Sequence, residues 1–453
     1  MRLRMFSFMM LSLAWLGHAV GAEDRHVVVI SIDGLPGRYL DDPRASLPVI
    51  RSLAKAGVRA EQGMLVSNPS VTWPNHTTLM TGVHPETHGV IFNGGLEHDS
   101  ATLAVKVNPK KTQKDLVKVP LLFDILKSKG ISSAAINWPC TRESTTIEDN
   151  FPDVPDNIQH STPRLVTELN EANVLRHFDS GSAVVRDEIW TDAACHILKT
   201  RKPRLLALHL LNLDGTHHRY GPETPPGYTA AALTDALVGR VLHALDDAGI
   251  RDRTAVFIVS DHGFIAIHKA VHANLVLKNG GLIEAEGAKI RSARAMVIPE
   301  GGTGLVYLTN PKTAKEDAEK VRKLFGSVEG IADVLGPESF GGLNMPDPSK
   351  DPNMANLVLV AKEGYTISGS LNGSEVVVPN RAGITGSHGY VSTEPKMNAI
   401  FVVAGSGIQT GVKIDLARNI DVAPTVSALL GVKLEKAKGK VLTSILSASA
   451  ESR

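Results

Sequence analysis

Residues 26–34 read His-Val-Val-Val-Ile-Ser-Ile-Asp-Gly, a β-branched run that stops at an aspartate and a glycine. The same pattern returns twice, as LLALHLLNLDG at 205–215 and as TAVFIVSDHG at 254–263. Continuous apolar runs of this length suit strands buried on both faces of a parallel sheet. Ser132–Asn137 and Ala399–Ala404 read as further strands. Spaced apolar positions over Leu47–Ala56, Pro120–Lys129, Ala183–Thr200 and Thr229–Ala248 predict helices, three of which stop at Gly57, Gly130 and Gly249. This alternation indicates an α/β fold, a mainly parallel central sheet with helices on both faces. From 264 to 381 the rhythm breaks into Gly-Gly pairs, prolines and one charged helix at Lys312–Phe325. That stretch reads as an inserted small cap lobe, within a discontinuous catalytic domain of 23–263 and 382–446.

The chain has 453 residues, 43% hydrophobic and 21% charged, an ordinary globular composition. Arg2 and Arg4 precede an apolar run from Met5 to Leu16 and then Ala19-Val20-Gly21-Ala22, which reads as a signal peptide over 1–22. The run is shorter than the roughly 20 residues a membrane span needs, so cleavage and export to the periplasm or beyond are expected, with no stable span left. Removing 1–22 leaves 46 basic residues against 47 acidic ones, which offers no basic field for a nucleic-acid duplex. The densest basic run, Lys106, Lys110, Lys111, Lys114 and Lys118, reads as a solvated segment. Cys140 and Cys195 are the only cysteines, which excludes a thiolate metal cage; in an oxidising compartment they could pair, although their spacing does not show that they meet.

Three strands end in metal-ligand chemistry: Asp33, Asp214, and Asp261 with His262. In an open α/β sheet, ligands bind beyond the carboxyl ends of the strands, so these residues can converge although remote in sequence. One such Asp alone would be a turn or helix-cap residue; three together point to a site. His218 follows Asp214 at the fourth position, which puts both on one helical face, whereas the neighbouring His217 points elsewhere. Gly386-Ser387-His388-Gly389 places His388 between residues that let the backbone approach closely.

Residues 68–93 read NPSVTWPNHTTLMTGVHPETHGVIFN. Thr72-Trp73-Pro74-Asn75-His76, with Thr81-Gly82, Pro85, His88-Gly89 and Asn93, resembles the nucleotide pyrophosphatase/phosphodiesterase branch of the alkaline phosphatase superfamily. The blocks at Asp33, Asp214 to His218, Ser260 to Gly263 and Gly386 to Gly389 follow in that family's order. The resemblance implies an alkaline phosphatase-like three-layer sandwich with two zinc ions. It implies one held by Asp214, His218 and His388, and the other by Asp33, Asp261 and His262. Thr72 is then the nucleophile, bridging toward the second zinc, and Asn93 donates to a phosphoryl oxygen. Such an inventory is chemically coherent, because three N/O ligands per zinc leave a position open and coordination activates a hydroxyl that is otherwise a poor nucleophile.

The implied activity is hydrolysis of a phosphodiester or nucleotide pyrophosphate, a small-molecule phosphoester, through a phosphothreonine intermediate. Trp73 stands where such enzymes carry an aromatic that stacks on a base; otherwise it packs in the wall of the site. Relatives acting on phosphonoacetate or phosphate monoesters carry a close pair of basic residues after the next strand; there Asn137-Trp138-Pro139 resembles the diesterase version, while Arg142, read as a surface residue, and the nearby lysine run leave a phosphonoacetate or phosphate-monoester hydrolase as the first alternative. A head-group phosphotransferase on the same metals and a catalytically silent binding protein are the remaining alternatives. One departure is His217, where the family has a glycine before the ligand histidine. His84, His88, His209, His268 and His272 read as structural or surface residues. Asn75-His76-Thr77 matches a glycosylation sequon but lies within the active-site turn, where a glycan would not fit.

Overall fold

The structure is a computed structural model and describes residues 21–380 and 385–448. The expected signal peptide thus lies almost wholly outside the described residues. Eight strands form the central sheet: β1 (His26–Ile32), β2 (Val58–Ala60), β3 (Ser133–Trp138), β4 (Asp149–Pro152), β5 (Leu205–Leu210), β6 (Thr254–Val259), β7 (Phe401–Gly405) and β8 (Val412–Ile414). Their spatial order is β8-β2-β7-β6-β1-β5-β3-β4. The contiguous strands β6, β1, β5, β3 and β4 are all parallel, and β7 pairs antiparallel with both β6 and β2. The sheet is therefore mainly parallel, as the uninterrupted apolar runs predict.

Side chains of β1 alternate between two cores. Val27 and Val29 join one hydrophobic cluster, whereas Val28, Ile30 and Ile32 join another. The helices divide accordingly: α1 (Pro48–Ala56), α2 (Thr72–Thr81), α3 (Leu122–Ser128), α4 (Ala183–Thr200), α5 (Asn212–Tyr220), α6 (Pro225–Asp247), α7 (Ala314–Phe325) and α8 (Val422–Leu429). Leu79 and Met80 of α2, Leu122 and Leu126 of α3 and Val426 of α8 pack on the Val27 side. Ile50 of α1, Ile197 of α4 and Val238 of α6 pack on the Val28 side. The result is a three-layer α/β sandwich. Each fully buried Val, Leu or Ile here contributes about 1.5–3 kcal/mol against exposure, so both faces hold the sheet strongly.

Two boundaries differ from expectation for local reasons. The expected strand Leu205–Leu213 ends at Leu210, because the chain turns into α5 although it stays apolar. Helix α6 begins a turn before the expected Thr229, since Pro225 occupies its first turn and Thr224 Oγ1 accepts the Gly227 N–H. Within 264–380 a four-stranded antiparallel sheet runs Ala295–Pro299, Thr303–Leu308, Leu357–Ala361 and Ile331–Leu335. Val321 and Phe325 of α7 join the cluster that also contains Val27, while Ile298, Leu305 and Tyr307 pack with Ile91 and Phe92. Both cysteines are free thiols, so no disulfide joins Cys140 and Cys195. Among the described residues no helix is long and apolar enough to cross a membrane.

Candidate metal centre and active site

The adjacent parallel strands β6, β1 and β5 point their carboxyl ends the same way, and the sequence-predicted ligands follow those ends. Asp33 comes directly after β1, Asp261 and His262 come just after β6, and Asp214 lies in the first turn of α5 after β5. The six expected ligands gather into two groups of three. Asp214, His218 and His388 form one, and Asp33, Asp261 and His262 the other; within each, ligand atoms lie within 4.8 Å of one another. The second group is fully buried, and the first opens toward solvent through the exposed His218. The rings of His262 and His388 stack, 3.7 Å apart and 9° from parallel, so the two groups lie side by side.

The hydrogen bonds around each group leave one set of atoms over. His262 Nδ1 faces the Gly263 carbonyl at 3.1 Å, His218 Nδ1 the Gly386 carbonyl at 3.3 Å and His388 Nδ1 the Ser70 carbonyl at 3.0 Å. Donation from each Nδ1–H to a carbonyl leaves each Nε2 as a lone pair, the tautomer a metal ligand needs. Asp261 Oδ1 accepts the N–H groups of Gly34 (3.1 Å) and His262 (3.0 Å), while Oδ2 faces His262 Nε2 at 3.2 Å. Asp33 Oδ2 lies 3.0 Å from His209 Nε2, and its Oδ1 faces His262 Nε2 at 3.4 Å. Asp214 Oδ1 faces His218 Nε2 at 3.5 Å and His388 Nε2 at 3.7 Å.

Asp33 Oδ1, Asp214 Oδ1, Asp261 Oδ2 and His262 Nε2 are buried with no hydrogen-bond partner among the described residues. Lone pairs gathered this way repel one another, and burying them unpaired is costly. A cation removes both penalties. The pKa directions tell the same story without one. Burial pushes the Asp33 carboxyl well above its usual range, with Asp261 and Asp214 adding to the effect. Asp214 is pushed up to about 6 by burial, against the opposing pull of His218. Burial drives His262 down to about 3 and His388 well below its usual value, so both imidazoles are neutral. Three N/O donors of this kind per group fit zinc with an open position.

Thr72 is the first residue of α2 and is 7% exposed. Its carbonyl faces His76 Nδ1 at 2.9 Å, and that nitrogen lies 3.7 Å from Asp261 Oδ2, which ties the helix start to the second group. The Ser70 carbonyl, two residues earlier, accepts the Gly389 N–H at 3.0 Å and holds His388, which ties it to the first. Asn93 is exposed; its Oδ1 accepts the Trp73 N–H at 2.8 Å, and its amide nitrogen donates to no group among the described residues. Trp73 is 4% exposed, packs with Val90, Leu116, Cys140 and Val154, and donates Nε1–H to Asp153 Oδ2 at 3.0 Å.

Gly389 shows how tightly the first group is built. It has φ +77°, and an added Cβ would fall 1.5 Å from the Glu300 carbonyl oxygen. Gly389→Ala is expected to lose more than about 2 kcal/mol of stability through backbone strain and collision, and to weaken any metal binding at the first group because His388 moves. Thermal melting and zinc content of the purified variant check this.

Among the other histidines, His217 is buried and turned away, with Nε2 3.0 Å from the Tyr39 hydroxyl and its ring edge-on to Phe264. His88 Nε2 meets Thr78 Oγ1 and His84 Nδ1 meets Ser67 Oγ. Asn75 is fully buried, its amide bonded to the backbone of Ser67, Pro69 and Val71, so the sequon asparagine has no exposed amide. Arg142 is not the exposed residue expected: its side chain is 15% exposed, and its guanidinium bonds the Lys110 carbonyl.

Sequence reasoning missed two groups. His209, read as structural, sits between the Asn137 carbonyl (2.9 Å from Nδ1) and Asp33 Oδ2, so it orients a candidate ligand. The signal was present, since a histidine inside a strand buried on both faces must have a polar partner. Asp153, directly after β4, brings a fourth carboxylate beside Trp73 and had no such signature.

A family profile described as Type I phosphodiesterase / nucleotide pyrophosphatase matches residues 27–391. The chain is 25% identical over 426 residues to a bis(5′-adenosyl)-triphosphatase of Bos taurus, covering 92% of this chain and 80% of that relative. It is 27% identical over 277 residues to ectonucleotide pyrophosphatase/phosphodiesterase family member 1 of Homo sapiens, 60% of this chain; the match spans only 27% of that relative's length. Among solved structures, an inactive form of murine ectonucleotide pyrophosphatase/phosphodiesterase 5 in complex with AMP superposes with a TM-score of 0.70. That likeness covers 93% of this chain and 100% of the other at 19% identity, and it speaks to the fold. With the profile running from β1 to just past His388, this chain belongs to the type I phosphodiesterase / nucleotide pyrophosphatase family, within the alkaline phosphatase superfamily.

Proposed function

We propose that this protein is an exported hydrolase of phosphodiesters or nucleotide pyrophosphates, with Thr72 as nucleophile beside two zinc ions. The observation that carries the reading is the set of unpartnered buried atoms of Asp33, Asp214, Asp261 and His262, gathered next to the start of α2. Asp214, His218 and His388 would hold one zinc, and Asp33, Asp261 and His262 the other. Bound there, the pair supplies Lewis-acid stabilisation of attacking and leaving oxygens. Thr72 Oγ1 attacks phosphorus, the alcohol or nucleotide leaves, and water then hydrolyses the phosphothreonine. The free amide nitrogen of Asn93 donates to a non-bridging oxygen, and the N-terminus of α2 favours the negative charge. Residues 264–381 act as the cap lobe over the catalytic domain of 23–263 and 382–446, and Trp73 forms the wall against which a nucleoside lies.

Charge favours a diester over a monoester. Arg142, the one basic residue available after β3, is engaged with the Lys110 carbonyl, and Asp153 adds negative charge beside Trp73. A dianionic monoester meets that charge twice over. Asp153→Asn is expected to raise kcat/KM for p-nitrophenyl phosphate relative to bis-p-nitrophenyl phosphate by about fivefold, from a repulsion on the order of 1 kcal/mol at an effective dielectric near 20. Rates for the two esters measured side by side check it. The activity itself is tested by assaying the zinc-loaded protein on nucleotides, dinucleotides, glycerophosphodiesters, p-nitrophenyl phosphate and phosphonoacetate. Turnover of diesters and pyrophosphates above the rest supports the reading; a monoester or phosphonoacetate rate above all of them refutes it.

A further inference from the structure

Two helices on the same face of the sheet start at residues that cannot cap them. The N-cap of α1 is Leu47 and that of α5 is Leu211, and neither side chain accepts a hydrogen bond. In both cases a buried aspartate from a neighbouring helix takes the role. Asp235 of α6 accepts the N–H groups of Val49 (3.0 Å) and Ile50 (2.8 Å). Asp187 of α4 accepts those of Leu211 (2.8 Å) and Asn212 (3.0 Å), one on each carboxylate oxygen. The two aspartates are 2% and 1% exposed. They differ in what the capped helix carries: α1 bears no site residue, whereas α5 bears Asp214 in its first turn and His218 in its last.

We propose that Asp187 is a positioning residue for the candidate metal centre, its two-pronged cap setting where α5 starts and therefore where Asp214 and His218 stand relative to His388. The proposal rests on the reading of those three residues as zinc ligands. His388 arrives on a separate segment anchored to the Ser70 carbonyl, and that segment meets α5 only near its far end, where His218 Nδ1 faces the Gly386 carbonyl at 3.3 Å, so the start of α5, which carries Asp214, needs an anchor of its own. Two N–H groups bound to two oxygens fix both the advance and the rotation of a helix's first turn, where one bond would leave rotation free. A competing start is available within the sequence, because Asn212 is itself a favoured N-cap residue. With Asn212 as cap the helix would begin one residue later, and Asp214 would turn on its axis. Asp187 also explains why the apolar run leaves the sheet at Leu210: the next two N–H groups are claimed by Asp187 rather than by a strand neighbour.

The test uses the full mature chain and zinc alone as probe. Asp187→Asn keeps the volume but sets an amide N–H₂ against a backbone N–H, and Asp187→Ser, which retains one acceptor, stands in should the first variant fail to fold. Asp235→Asn is the control, since it damages an equivalent cap on a helix that bears no candidate ligand. Competitive chelator titration is expected to show one of two zinc ions bound about 10- to 100-fold more weakly in the Asp187 variants, the range typical of losing a supporting contact, with the other unchanged. Asp235→Asn should lower the melting temperature comparably and leave both zinc affinities intact. Equal zinc affinities in wild type and the Asp187 variants, or equal weakening by Asp235→Asn, overturns the positioning role. Wild type that takes up a single zinc with Asp214→Asn unaffected overturns the ligand reading and the proposal with it.

Discussion

Thr72→Ala should abolish turnover, by about 10⁴-fold or more, while zinc content and melting temperature stay near those of the wild type. Removing a covalent nucleophile eliminates the step that every later one depends on, so no neighbouring group compensates. Stability should survive because Thr72 Oγ1 accepts and donates no hydrogen bond among the described residues, and the helix start is held by backbone contacts to His76 and Asn93. Thr72→Ser, which keeps the hydroxyl, should retain a measurable rate. Steady-state rates on a diester, metal analysis and thermal melting of the three proteins decide this; an Ala variant as active as wild type would remove Thr72 from the chemistry.

Chelation is expected to have an effect as large on activity and a second one on stability that depends on pH. Without the cation, Asp33 and Asp214 have raised pKa values, Asp214 at about 6 against an ordinary 3.8. Between those values the folded chain holds more protons than the unfolded one, so this contribution to stability falls as pH rises through about 4 to 6. His262 acts oppositely: depressed to about 3 from 6.5, it is neutral in the folded chain, and stability is lost as pH falls through that window. Zinc binding requires ionised carboxylates and neutral imidazoles, so it competes with protons at both kinds of group. The rise in melting temperature produced by zinc should therefore be greater at pH 7.5 than at pH 5. At a thousandfold excess over Kd one zinc stabilises by about 4 kcal/mol, enough for a clear shift. A zinc-induced shift that is the same at both pH values would contradict the ligand set.

The parts of the fold that the sequence makes legible are those whose side chains face two cores at once. β1 and β6 are almost wholly apolar because both faces are covered, and an aspartate after such a run can only be a turn or a site. β2, β4 and β8 are three or four residues long, too short for a period to show, and β4 carries Asp149 and Asn150. The strand-to-helix change at Leu211 is invisible for a different reason. Leu211 and Leu213 are as apolar as the strand before them, and what ends the strand is Asp187, distant in sequence and bound to the backbone. Five of the six candidate ligands are legible through strand ends and the i, i+4 pair, and His388 only through its Gly-Ser-His-Gly block and the family resemblance; His209, Asp153 and Asp187 act through neighbours and carry no spacing of their own. Arg142 was misplaced because its guanidinium finds a backbone carbonyl, which composition cannot foretell.

Two cations are expected to occupy the paired groups beside Thr72. Anomalous diffraction at the zinc edge, from crystals of protein purified with zinc, measures this directly. Two peaks are predicted, one among Asp214, His218 and His388 and one among Asp33, Asp261 and His262. A map with no peak at either group, from protein that is folded and inactive on every phosphoester tried, would contradict it.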